Sequence, residues 1–250
     1  MRVLALDFDG VLFDSARESF AVAIRTYREL RPGSALAARD ERELYHGFLA
    51  LMPLGNGAQD YGVALALLDQ GRVPADQQAY DRLRADQDAA WLEQYRRRFY
   101  EARRAWADRA PREWCASILP YPGIADALRR RRDRAAYAIA TSKDRHSVDL
   151  LLEAYRLADL FPAERIVDRA AGPDKRIHLE CLRERLACRY EEMTFVDDKV
   201  NHLDSVAPLG VRCALAAWGY NGPREHDLAA ARGYVVCTLE GLDAALFGHG

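Results

Sequence analysis

The chain has 250 residues, of which 50% are hydrophobic and 30% charged, enough for one large domain or two modest ones. Its 36 basic and 38 acidic residues leave a formal net charge of -2, too balanced to attract a nucleic-acid backbone or an anionic membrane. No stretch approaches the ~20 apolar residues that span a bilayer, and the opening MRVLALDFDG carries acids where a signal peptide needs its apolar core. A cytoplasmic protein is therefore expected, with no nucleic-acid or membrane partner. Cys115, Cys181, Cys188, Cys213 and Cys237 contain no CxxC spacing and read as reduced, mostly buried thiols.

In chain order, Val3–Phe8 is a short apolar run that ends in acids and Gly10, which predicts a buried strand and a tight turn. From about Ser15 to Pro111 the pattern is helical, at Glu18–Leu30, Asp40–Leu51, Tyr61–Leu68 and one long run from Asp76 to Ala107. Aromatic residues at near-helical spacing in that run (Trp91, Tyr95, Phe99 and Trp106) read as packing. The strand grammar returns at Ala135–Ala140 and Met193–Val196, and more weakly at Ile166–Val167, Val211–Leu215 and Tyr234–Cys237. Helical patterns lie between them, at Ile124–Arg132, Arg145–Tyr155, Ile177–Leu186 and Arg224–Arg232. Strands alternating with helices predict an α/β fold, a Rossmann-like open parallel sheet covered on both faces. The expected domains are an α/β core of residues 1–14 and 112–250 and an all-helical cap of residues 15–111, inserted after the first strand. An insertion there overlies the usual ligand crevice of such a sheet, so a lid is expected.

Acids cluster at the strand ends. Asp7 and Asp9 stand two apart in extended chain, so their carboxylates share one side. Asp197 and Asp198 end a second strand. In a parallel sheet these termini share one edge, and Asp7, Asp9 and Asp198 form an oxygen-rich site suited to a hard cation such as Mg2+. Thr141 and Ser142 end a third strand, and Lys175 stands at a helix start; a hydroxyl, an ammonium and backbone N–H groups suit a phosphoryl anion. Lysine is otherwise rare: of the 36 basic residues only Lys143, Lys175 and Lys199 are not arginine.

The run Leu6–Leu12 (LDFDGVL) with Asp14 and Ser15 resembles the first motif of the haloacid-dehalogenase-like hydrolases. Ala138–Ser142 (AIATS) resembles the second, Lys175 the third, and Phe195–Lys199 (FVDDK) the fourth. Tyr121-Pro122-Gly123 and Trp218-Gly219-Tyr220 are similar to the phosphoglycolate-phosphatase-like branch with a helical cap. The resemblance implies a phosphoric monoester hydrolase with Asp7 as nucleophile, passing through an aspartyl-phosphate. Asp9 would be general acid and then base. Mg2+ would be held by Asp7, the Asp9 carbonyl and Asp198. The phosphoryl group would be held by Phe8, Gly10, Thr141, Ser142 and Lys175. An acid at Asp9 argues against dehalogenation.

Three departures from the pattern stand out. Asp197 occupies a position that is often glycine, His202 one that is often an acid, and Lys175 is followed by Arg176 rather than proline. Asp197 is expected to orient Lys175 or Asp198 from behind, and Asn201 or His202 to hold a metal-bound water. Lys143 and Lys199 are the alternatives to Lys175. In the cap, Arg17, Arg42, His46, Asn56 and Tyr61 are the candidate contacts to the leaving group. The expected partner is a small phosphate ester and the expected assembly a monomer or homodimer. Phosphomutase, pyrophosphatase or nucleotidase chemistry stays open, as does a catalytically silent phosphoryl-binding protein.

Overall fold

The computed structural model describes residues 2–248. Its strands are β1 (Val3–Leu6), β2 (Phe13–Asp14), β3 (Leu119–Pro120), β4 (Ala136–Ala140), β5 (Ile166–Val167), β6 (Met193–Asp197), β7 (Arg212–Ala216) and β8 (Val235–Cys237). Six of them, the six apolar runs of the sequence, form one parallel sheet in the order β5-β4-β1-β6-β7-β8. β1 and β4 are buried along their whole length, which is why they read as continuous rather than alternating apolar runs. β2 and β3 form a separate antiparallel ribbon of two residues each, too short to leave a period in the sequence.

The chain divides into two compact units, one running to Asp14 and resuming at Ile118, the other Ser15–Ser117. The second unit is helical: α1 (Ala16–Leu30), α2 (Glu41–Leu51), α3 (Ala58–Asp69), α4 (Gln77–Ala85), α5 (Ala89–Arg109) and α6 (Pro111–Ala116). The helical insertion after the first strand is thus present, but the long run expected from Asp76 to Ala107 is two helices. Asp88 breaks it: its backbone is extended and its carboxylate accepts the Ala90 N–H at 2.8 Å, which starts a new helix. Tyr95 and Phe99 of α5 are fully buried, as packing required, and the Tyr95 hydroxyl donates to the Ala23 carbonyl. The same unit buries a charge pair. Arg103 donates two 2.7 Å hydrogen bonds to Glu18, and the Trp114 indole adds a third at 3.2 Å.

In the first unit, α7 (Ile124–Arg130), α8 (Arg145–Ala154), α9 (Lys175–Leu186), α10 (Val200–Val206), α11 (Pro223–Ala231) and α12 (Leu242–Phe247) alternate with the later strands. Residues from α9 and α10 pack on one face of β1, β4 and β6 in an apolar cluster that includes Leu179, Leu182, Leu203 and Phe195. This packing fixes the strands in register, with Leu6 level with Ile139 and Val196, and so brings Asp7, Ala140 and Asp197 to one height at the C-terminal edge. Among the described residues no helix is long and apolar enough to cross a membrane.

Candidate active site at the sheet edge

Asp7 directly follows β1, and its N–H donates to the Val196 carbonyl, so the backbone under its side chain is still tied to β6. The chain then turns sharply: the N–H groups of Leu12 and Phe13 both donate to the Phe8 carbonyl, and Gly10 has a φ of 82°. Glycine is required there twice over. The left-handed backbone disfavours a side chain, and a Cβ would lie 2.5 Å from the Asp198 carboxyl carbon.

Lys175 is the first residue of α9, whose N-terminus is capped by Asp174 accepting the Arg176 N–H. Its buried ammonium donates to the Ala140 carbonyl at 2.7 Å and lies 2.8 Å from Asp7 Oδ1 and 3.5 Å from Asp197 Oδ2. Burial alone would lower the lysine pKa, but Asp7 and Asp197 together raise it, so the ammonium stays charged. The loop before α9 is tied down by His178, whose Nε2–H donates to the Gly172 carbonyl at 2.8 Å. Of the three lysines the sequence offered, Lys175 is therefore the one against the nucleophile candidate.

The two acids of the fourth motif differ in surroundings. Asp197 is fully buried but well compensated: burial pushes its pKa up, and His202, Lys175 and the Lys199 N–H outweigh that, bringing it down to about 2. His202 Nδ1 donates to its two oxygens at 3.1 Å each. The neighbouring Asp198 is pushed up to about 7 by burial, with Lys199 opposing the rise and Asp197 and Asp7 adding to it. Asp7 is likewise raised, by burial first and by Asp197, with Lys175 pulling the other way. Ligand atoms of Asp7, Asp197 and His202 lie within 4.8 Å of one another, a cluster able to hold a metal ion. The Lys175 ammonium already sits against two of its members, whereas burial biases the Asp198 carboxyl toward its protonated form, a bias that a divalent cation beside it would reverse. The carboxylates that β1 and β6 bring to this edge are hard oxygen donors of the kind that fit Mg2+.

The remaining sequence candidates are placed as follows. Thr141 follows β4 and is buried; its Oγ1 accepts the Lys143 N–H at 3.1 Å, which leaves the hydroxyl proton for another acceptor. Ser142 and Asn201 are exposed, and Phe8 is buried beneath the turn. Asp9 is half-buried and paired with Lys143, at 2.9 and 3.1 Å. In the helical unit Arg17, Arg42, His46 and Asn56 are exposed. Tyr61 lies between the rings of Phe48 and Phe99, at 5.3 and 5.5 Å between ring centroids.

Residues 217–222, after β7, form a further part of the site. The Tyr220 N–H donates to Asp198 Oδ2 at 2.8 Å, and Asn221 Nδ2 donates to the Asp198 carbonyl at 3.0 Å. Lys199 Nζ holds the Tyr220 carbonyl, and the Trp218 indole holds the Val11 carbonyl. Trp218-Gly219-Tyr220 was visible as a motif, but its grip on Asp198 runs through backbone groups that a sequence does not display.

A parallel sheet whose first strand ends in a buried aspartate, with a lysine ammonium against it and further acids from a neighbouring strand, is the frame of an α/β protein whose chemistry sits at its C-terminal sheet edge. The chain belongs to the haloacid dehalogenase-like hydrolases: that family's model matches residues 1–210. The fold is similar to that of a haloacid dehalogenase-like family hydrolase from Streptococcus pneumoniae, at 14% identity and a TM-score of 0.68 over 98% of this chain and 97% of that one. It is similar also to a protein from Haemophilus somnus described as a predicted phosphoglycolate phosphatase, at 15% identity and a TM-score of 0.67 over 97% and 96%. No curated protein matches the sequence.

Proposed function

We propose that this chain is a Mg2+-dependent phosphomonoester hydrolase that acts on a small cytoplasmic metabolite through an aspartyl-phosphate on Asp7. The observation that carries the reading is the buried Asp7 carboxylate with the Lys175 ammonium 2.8 Å from it and Asp9 two residues on. A site that only bound phosphate would gain nothing from a nucleophile beside a second carboxylic acid.

Asp7 Oδ attacks phosphorus, and the bond to the ester oxygen breaks as Asp9 gives that oxygen its proton. Lys175 compensates charge on the phosphoryl oxygens as Asp7 gives up its own, and the Thr141 hydroxyl donates to one of them. Phe8 and Gly10 offer backbone N–H groups and Ser142 a hydroxyl to the same anion. Asp9 then takes a proton from water as water oxygen bonds to phosphorus, and Asp7 leaves as a carboxylate. Asp7, the Asp9 carbonyl and Asp198 would hold Mg2+, which neutralises charge shared between nucleophile and phosphoryl group. Asp197 and His202 act behind Lys175. Trp218-Gly219-Tyr220, and the similarity to the Haemophilus protein, support the phosphoglycolate-phosphatase-like branch.

The test is phosphate release from a broad panel of metabolite phosphates, in Mg2+ and in EDTA, for wild type and Asp7→Asn. Turnover that needs the metal and vanishes in the variant supports the reading. A wild type as silent as the variant across the panel contradicts it.

A further inference from the structure

Lys143 is absent from the steps above, yet it is as deeply built into the site as Lys175. Its side chain is 0% exposed, and its ammonium reaches the two oxygens of Asp9 at 2.9 and 3.1 Å. The backbone of Lys143 is pinned on both sides, its N–H to Thr141 Oγ1 and its carbonyl to the Arg169 N–H, each at 3.1 Å. The ammonium also lies 5.9 Å from the centre of the ring of Phe8, the residue between Asp7 and Asp9. General charge balance would be met by a solvated lysine. Burying a four-carbon stem to bring one ammonium against both oxygens of one carboxylate instead fixes where that carboxylate points.

We propose that Lys143 is a positioning residue that holds the Asp9 carboxylate in the orientation that takes the proton from water in the second half of the reaction. The inference rests on the phosphohydrolase reading above. In that half, water oxygen bonds to phosphorus, the Asp7 Oδ–P bond breaks to return the Asp7 carboxylate, and the water proton passes to Asp9. In the first half, an ester with a good leaving group departs as its anion and needs little from Asp9. Loss of Lys143 therefore separates the two halves.

The experiment uses p-nitrophenyl phosphate with Mg2+, rapid mixing and acid quench, on wild type, Lys143→Met and Lys143→Arg. In Lys143→Met the first turnover keeps its rate within about threefold, while steady-state turnover falls about 10–100-fold. Phosphoenzyme then accumulates, and nitrophenolate appears in a burst. Lys143→Arg, which keeps the cation, recovers part of the loss. Should Lys143→Met fail to fold, Lys143→Gln, which keeps a donor, carries the same measurement. Equal loss in both phases, or a raised KM with kcat intact, overturns the inference. Wild type that turns over without any phosphoenzyme overturns instead the reading beneath it.

Discussion

Gly219→Ala perturbs the site at one contact. A Cβ at 219 would lie 2.3 Å from the Asp198 Cβ and 2.4 Å from the Gly10 carbonyl oxygen, where ordinary contact begins at 3.4 Å. Neither neighbour is the loose end of a flexible side chain, so the strain is relieved only if Asp198 and the loop after β7 part by about 1 Å. A displacement of that size in catalytic geometry costs about 100-fold in rate. Overpacking adds a stability cost of about 1–3 kcal/mol. The Tyr220 N–H bond to Asp198 moves with the loop, so the Mg2+ concentration for half-maximal activity should rise about tenfold. The assay is kcat/KM against Mg2+ concentration, with urea unfolding to separate the stability cost. Gly222→Ala is the control, since its Cβ meets nothing nearer than 3.7 Å. If Gly219→Ala keeps the wild-type Mg2+ dependence and kcat/KM, the loop does not position Asp198 and the reasoning fails.

Other expectations follow from the same geometry. In the helical unit, Arg103→Met leaves the buried Glu18 carboxyl without its cation, and should cost about 3–5 kcal/mol in denaturant unfolding. Adding Glu18→Gln should restore part of that, and a double variant no more stable than the single one would refute the pair's role. The stability that Asp198 contributes to the metal-free protein, read as wild type minus Asp198→Asn, should fall as pH rises between about 4 and 7. Over that window folded Asp198, pushed up to about 7 from 3.8, holds its proton more tightly than the unfolded chain does. Asp197, held down to about 2, has the opposite effect, but only below its ordinary value of 3.8. The melting-temperature difference between wild type and Asp198→Asn in EDTA should fall across the window, and Mg2+ should flatten that slope; a difference that does not change with pH in EDTA would contradict the assignment of Asp198.

Much of this was legible in the sequence because it depends on period and position. The six apolar runs fixed the sheet, and Asp7, Thr141 and Asp197 sit at one edge because parallel strands end together. The rarity of lysine was a further signal: all three lysines are buried, at Asp9, at Asp7 and at the Tyr220 carbonyl. What escaped depends on contacts between distant segments or on single turns. Asp88 ends one helical run and starts another through one capping bond, which helical periodicity does not register. The ribbon of Phe13–Asp14 with Leu119–Pro120 pairs residues more than a hundred apart. The sequence separated Asp198 at the metal site from Asp197 behind it, but the contact of His202 with Asp197 and that of the Tyr220 N–H with Asp198, which set how far each is compensated, join segments that the sequence does not show together.

The central claim is that Asp7 becomes phosphorylated during turnover. It is tested most directly by quenching the enzyme with Mg2+ and p-nitrophenyl phosphate during turnover, reducing with borohydride and sequencing the peptides by mass spectrometry. An acyl-phosphate at Asp7 is reduced to homoserine, so the account predicts homoserine at position 7, absent without Mg2+ or substrate. Turnover with an unmodified Asp7, or with homoserine at another acid, would contradict it.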